Sequence, residues 1–88
     1  MGSYKVFIKP SAVKELEAVG TKKDRQRIAS KILSLADDPR PPGSVKLSGS
    51  NRLRIRVGTY RIVYAIEDDR CIVLIIRIGH RREIYRAG

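Results

Sequence analysis

Tyr4-Lys5-Val6-Phe7-Ile8-Lys9 alternates apolar and polar positions and is rich in β-branched and aromatic residues, which predicts a strand that Pro10 ends. From Pro10 or Ser11 the period changes: Val13, Leu16 and Val19 recur at helical spacing, and Gly20 supplies a stop. Thr21 stands at an N-cap position with Asp24 three residues on. Ile28, Ile32 and Leu35, with Ala29, Leu33 and Ala36 beside them, form one apolar stripe. That stripe predicts a second helix of about four turns, ending before Asp37-Asp38-Pro39. Pro39 to Ser44 carries three prolines, which remove donors and fix φ, so it reads as a surface connection too short to link domains.

Beyond it, Leu53, Ile55 and Val57 alternate with Arg52, Arg54 and Arg56, the pattern of a strand with one apolar and one charged face. Gly58-Thr59 suits a two-residue hairpin loop, and Tyr60 to Ile66 forms the return strand. Glu67-Asp68-Asp69-Arg70 is a polar turn into Cys71 to Ile78, whose apolar character on both faces predicts an interior strand. The order strand, helix, helix, strand, strand, strand predicts an α+β fold, an antiparallel sheet with two helices packed on one face.

The hairpin loop decides the faces. Val57 is set opposite Tyr60, Ile55 opposite Ile62, and Arg56 opposite Arg61. Leu53, Ile55, Val57, Tyr60, Ile62 and Tyr64 then meet the helices, and Arg52, Arg54, Arg56 and Arg61 gather on the other side. Like charges directly opposite one another destabilise a sheet, so this arrangement calls for an anion between them. The bland alternative is a solvated basic face that serves solubility.

Charge sharpens the choice. The 88 residues are expected to form a single domain, 1–88, which buries only about 60 to 65% of what its unfolded chain exposes. Nineteen Lys and Arg against nine Asp and Glu give +10, an imbalance most easily tolerated beside an anionic partner, nucleic acid first. No apolar run is long enough to span a bilayer and no secretory leader opens the chain, so a cytoplasmic protein without membrane contacts is expected. The lone Cys71 excludes an internal disulfide and is expected to be a small buried residue at a strand start. With one histidine as well, neither a metal site nor a cofactor is expected.

The terminal stretch Arg77-Ile78-Gly79-His80-Arg81-Arg82-Glu83-Ile84-Tyr85-Arg86 adds other chemistry. The Tyr85 phenol, ordinarily titrating near 10, and the His80 imidazole, near 6.5, can each move a proton if neighbouring charges shift them. Either ring can also stack on an unpaired base. The plainer readings are a surface or capping role for His80 and a chain-end anchor for Tyr85.

Lys46-Leu47-Ser48-Gly49, Arg54-Ile55-Arg56, Gly58-Thr59-Tyr60-Arg61-Ile62-Val63-Tyr64 and Ile78-Gly79-His80-Arg81-Arg82-Glu83-Ile84-Tyr85 together resemble the RelE toxins of the RelE/ParE superfamily. The resemblance runs from the first strand to Tyr85. It implies the toxin of a type II toxin–antitoxin pair, which enters the ribosomal A site and cleaves mRNA there. The implied reaction is metal-free attack of a ribose 2′-OH on the adjacent phosphate. Arg54 and Arg56 match the paired basic residues of the family's second strand, Arg61 the arginine of the third, and Arg81 and Tyr85 the terminal arginine and tyrosine. Arg56 and Arg61 would stabilise the pentacoordinate phosphate, Arg81 the leaving 5′-oxygen, and Tyr85 would stack on a base or accept the 2′-OH proton. His80 is the reserve proton carrier. Arg52, Lys46, Arg77, Arg82 and Arg86 are expected to contact RNA. Some relatives carry lysines at the strand positions, and lysine can lose a proton where arginine effectively cannot, which moves the base role away from Arg54 and Arg56.

The resemblance also implies a RelB-like antitoxin, acidic where it meets the arginines, with apolar residues for a groove along the helices and a reach that covers Tyr85. The pair would form a hetero-oligomer that binds its own operator DNA through the antitoxin. Two other readings stay open: a ParE-like toxin of the same fold that is not a nuclease and acts on DNA gyrase, and a simple RNA-binding module.

Overall fold

The chain folds as β1 (Lys5–Ile8), α1 (Pro10–Glu17), α2 (Lys22–Ser34), β2 (Val45–Lys46), β3 (Arg52–Val57), β4 (Tyr60–Glu67) and β5 (Ile72–His80), with a 3-10 turn at Asp68–Arg70. The computed structural model describes residues 3–80. One sheet of order β1-β5-β4-β3-β2 carries the helices on one face. The α+β expectation holds, and β3 to β5 are antiparallel neighbours as expected; the two-residue edge strand β2, antiparallel to β3, is a fifth strand that the expected order lacked. One correction concerns β1, which pairs with β5 in parallel, Lys5 against Ile72 through Ile8 against Ile75, so the sheet is mixed. The two-helix excursion carries the chain across the sheet to its far edge. The β2 to β4 meander then returns it, and β5 arrives beside β1 running the same way.

Local chemistry sets the helix ends. Thr21 caps α2 as expected, its hydroxyl accepting from the Asp24 amide at 3.1 Å. Arg25 reaches back to donate to the Val19 carbonyl at 2.7 Å, holding the end of α1 against α2. The inward face of α1 carries buried Ala12 and half-buried Leu16, and Val19, two residues past its end, is buried as well, whereas the expected Val13 is exposed. On α2, Ile28 and Ile32 are buried as expected, as is Leu35 at its C-cap, and Leu33, a residue's rotation away from Ile32, is 69% exposed.

The core joins these helix residues to Leu53, Ile55, Ile62, Tyr64, Ile66, Val73, Ile75 and Ile78 of the sheet. Tyr64 is fully buried, and its hydroxyl donates to the Pro39 carbonyl at 2.8 Å, which fixes the proline-rich connection against the sheet. Burial pushes the Tyr64 phenol above its ordinary value. A second tie lies at the surface. Asp68 accepts from the Tyr4 hydroxyl at 2.8 Å and from both terminal nitrogens of Arg40, at 2.9 and 3.2 Å. The Arg40 guanidinium, then the Tyr4 hydroxyl, hold the Asp68 carboxyl below its usual range.

Cys71 also departs from expectation. It is exposed and takes φ +53, closing the 3-10 turn with its amide donating to the Asp68 carbonyl at 3.2 Å. The strand starts one residue later, at Ile72. Within β5 the pairing slips: Val63 faces Arg77 while Tyr64 faces Ile75, leaving Ile76 as the extra residue of a bulge.

Candidate nucleic-acid interface

Gly58 takes φ +60 at the first position of the β3–β4 loop, the left-handed conformation that a two-residue hairpin of this kind places on glycine. The register follows as expected: Val57 opposite Tyr60, Ile55 opposite Ile62, Arg56 opposite Arg61. Leu53, Ile55, Ile62 and Tyr64 are buried toward the helices, with Val57 and Tyr60 packed beside them. Facing away are Arg52 opposite Ala65, Arg54 opposite Val63, and the Arg56 and Arg61 pair.

Gly79 of β5 lies opposite Arg61 and adds no side chain beside it. Arg52 and Arg56 are exposed, whereas Arg54 and Arg61 are half-buried with their Nε atoms enclosed. Such a base restrains the two guanidinium forks, which favours bidentate contact with a phosphate over the looser grip of an exposed lysine. Neighbouring positions on this face include buried Val63 and Ala65, so the arginines stand on an apolar floor. The lower effective dielectric there strengthens any charge they meet.

Arg77 lies on the same side by register, opposite Val63, but its charge is engaged elsewhere. Its guanidinium is 3.4 Å from a carboxylate oxygen of Glu15 on α1. The other oxygen of Glu15 accepts from the Ile78 amide at 2.8 Å, beyond the point where β1 stops pairing with β5. Glu15 is the residue that sequence reasoning missed. Its signal was faint, an acid beside the apolar Leu16 in the helical stretch, and only the fold shows that its half-buried carboxylate meets Arg77 and Ile78.

His80 is brought to the other side. It pairs with Tyr60, and the two rings meet edge to face with centroids 5.9 Å apart. Together with Glu15, Ala18 and Val19 they line a cleft of about 380 Å³ next to α1, across the sheet from Arg56 and Arg61. Lys46 likewise falls opposite Leu53, on the helix side of the edge strand β2. Arg81, Arg82, Tyr85 and Arg86 lie outside the described residues. A further cationic feature that the sequence reading passed over is an open groove of about 610 Å³ between α2 and the hairpin, where Lys23, Arg27, Lys31 and Arg56 converge.

Comparison with known proteins agrees with this architecture. The family described as the ParE toxin of the type II toxin–antitoxin system, parDE, matches residues 6–85. A RelE-like toxin protein of Escherichia coli is 30% identical over 81 residues, covering 89% of this chain and 83% of that protein. Toxin RelG of Mycobacterium tuberculosis is 52% identical over a shorter stretch of 31 residues, 35% of this chain and 36% of that protein. The archaeal RelE of the RelE–RelB complex from Pyrococcus horikoshii superposes with a TM-score of 0.81 at 26% identity, covering 90% of this chain and 96% of that one. A match over nearly the whole chain, on a fold with the same sheet and helices, makes this protein a toxin of the RelE/ParE family of type II toxin–antitoxin systems.

Proposed function

We propose that this toxin is a ribosome-dependent endoribonuclease that cuts mRNA in the A site. The observation that carries the reading is the direct opposition of Arg56 and Arg61 on a face shared with Arg54. Two guanidinium groups held against each other gain most from a ligand that concentrates negative charge between them, and a pentacoordinate phosphate does so more than its ground state. The 2′-hydroxyl gives up its proton as its oxygen attacks the adjacent phosphorus, the bond to the 5′-oxygen breaks, and that oxygen takes a proton from water, so the products are a 2′,3′-cyclic phosphate and a free 5′-hydroxyl. Arg56 and Arg61 hold the equatorial oxygens, and Arg54 aligns the strand. Arg81 stabilises the charge on the departing 5′-oxygen. Arginine is a poor base, so Tyr85 is assigned the 2′-OH proton or a stacking role. His80, placed beside Tyr60, is not given a role in this scheme.

A RelB-like antitoxin is the proposed partner, supported by the RelE–RelB complex of the archaeal relative. Its acidic groups would cover the arginine face and the segment around Tyr85.

Expression of the chain should halt translation and leave cuts within translated messages. Arg81→Ala and Tyr85→Ala should each relieve toxicity while ribosome binding persists; full toxicity in both would refute the assignment of the site. The matching family's description as a ParE toxin favours a second reading, a non-nuclease that acts on DNA gyrase. Trapped gyrase with intact messages would establish it. Binding to RNA with a salt slope of about −0.7 per phosphate contacted, and no cut product, would instead leave a binding module.

A further inference from the structure

We infer that the groove between α2 and the β3–β4 hairpin is a second RNA phosphate track, continuous at Arg56 with the arginine face of the sheet. The inference rests on the reading that this toxin acts on RNA, and adds to it a binding surface on the helix side of the molecule. Lys23, Arg27 and Lys31 line the groove at intervals of four residues. At 1.5 Å rise per residue they form a row of one cation per turn, spaced by about 6 Å and running for about 12 Å. A nucleic-acid strand presents its phosphates singly and at regular intervals, so such a row matches it charge for charge.

Three features favour RNA over an acidic protein segment. Gln26 and Ser30 stand between the cations as neutral hydrogen-bonding groups suited to phosphate and ribose oxygens, and both are exposed. Apolar anchors, which a docked helix or strand requires, are nearly absent, with Val57 the sole large apolar residue in the lining. Thirdly, the track has a destination. Arg56 lines this groove and also faces Arg61 on the sheet, so a strand crossing the hairpin passes from one surface to the other.

Arg27 reaches the hairpin tip itself: a Cβ at Gly58 would meet its guanidinium nitrogen at 3.6 Å, an ordinary contact distance. Asp24, 3.9 Å from Arg27, is the acid paired with the row. Arg27 and Asp24 are 52% and 34% exposed, and an exposed pair three residues apart on a helix offsets little of the cation's attraction.

The phosphate chain has two possible sources: the single strand that crosses the arginine face, or a separate folded RNA helix. The test uses the full-length toxin and a Lys23→Gln/Arg27→Gln/Lys31→Gln variant. Glutamine is close to lysine and arginine in helix propensity, so α2 is retained. Affinity for a single-stranded oligoribonucleotide, an RNA hairpin duplex and poly-L-glutamate is measured across a range of salt. Loss of the three cations should make the salt slope shallower by about 2 for the single strand, or by nearly 3 for the duplex. The probe that shows the change identifies the source. A slope and affinity unchanged on both RNAs, while the wild-type toxin binds them, would overturn the track and leave the catalytic reading untouched. Loss confined to poly-L-glutamate would replace RNA by an acidic protein segment and overturn it as well. A wild-type toxin that bound neither RNA would overturn the track alone, since ribosome-dependent cutting is read separately from cuts within translated messages.

Discussion

Arg56 and Arg61 stand directly opposite each other at the closed end of the β3–β4 hairpin. Like charges in that position cost a sheet roughly 0.2–1 kcal/mol, and a polyanion removes the cost while gaining two charge-assisted contacts. Arg56→Gln should therefore act with opposite signs in the two states. The free protein should gain up to about 1 kcal/mol, whereas the increase in melting temperature on adding RNA should shrink. Thermal denaturation with and without an oligoribonucleotide reads both. Destabilisation of the free variant would show that Arg56 supports the fold.

How that pair could be foreseen, and His80 could not, follows from what each depends on. The opposition of Arg56 and Arg61 needs only a two-residue loop at Gly58-Thr59 and strict alternation on either side, both local properties. The β5 end obeys alternation only as far as Ile75. Counted strictly from Val73 and Ile75, Arg77 and Gly79 would face the helices, and Ile78 and His80 the arginines. The bulge at Ile76 exchanges the two sets. It allows Ile75, Ile76 and Ile78 all to be buried, and nothing in a run of isoleucines and valines marks which residue is the extra one. The parallel pairing of β1 was hidden for a related reason: it depends on where the α1–α2 excursion returns the chain, and Val6 and Ile8 would be apolar toward the core in either direction.

Glu15 joins the helix layer to the last strand through one carboxylate with two partners, the Arg77 guanidinium and the Ile78 amide. Glu15→Ala strips both and leaves a half-buried amide without its acceptor, which should cost about 1–3 kcal/mol. Glu15→Gln keeps an oxygen for Ile78 and loses the ion pair, so it should cost less. Urea denaturation orders the three proteins, and amide exchange at Ile78 should accelerate in the alanine variant only. Equal loss in both variants would assign the effect to the charge.

Cys71 occupies a left-handed conformation, φ +53, that L side chains adopt at a cost and glycine does not. Its thiol is exposed and makes one long contact, 3.7 Å to the Asp68 carbonyl. Cys71→Gly should therefore leave stability unchanged or raise it by up to about 1 kcal/mol. A clear fall in the denaturation midpoint would mean that the thiol contributes more than this geometry suggests.

Tyr64 is a buried phenol whose hydroxyl holds the Pro39 carbonyl, and burial raises its pKa. Tyr64→Phe leaves that carbonyl without its donor at a cost of about 1–3 kcal/mol at neutral pH. The alkaline limb has the opposite sign. A raised folded-state pKa gives stability that is complete below the unfolded value, about 10, and is lost as pH rises through the folded value. The phenylalanine variant has no such proton to lose. The gap between wild type and variant should narrow as pH climbs past about 10, seen by chemical denaturation at successive pH values.

Asp68 gives the acid counterpart. Arg40 and Tyr4 both favour its ionised form and hold its pKa below the usual carboxylate value, near 4. A depressed folded-state pKa gives stability that is present above the unfolded value and lost as pH falls through the folded one. Because the carboxylate ties Tyr4, ahead of β1, to Arg40 in the proline-rich connection, its protonation loosens two segments together. Asp68→Asn should be weaker than wild type at neutral pH and should approach it as pH drops below about 4, since the asparagine has no charge to lose. Parallel declines of the two proteins into acid would show that the Tyr4–Asp68–Arg40 cluster is no anchor for the edge strand.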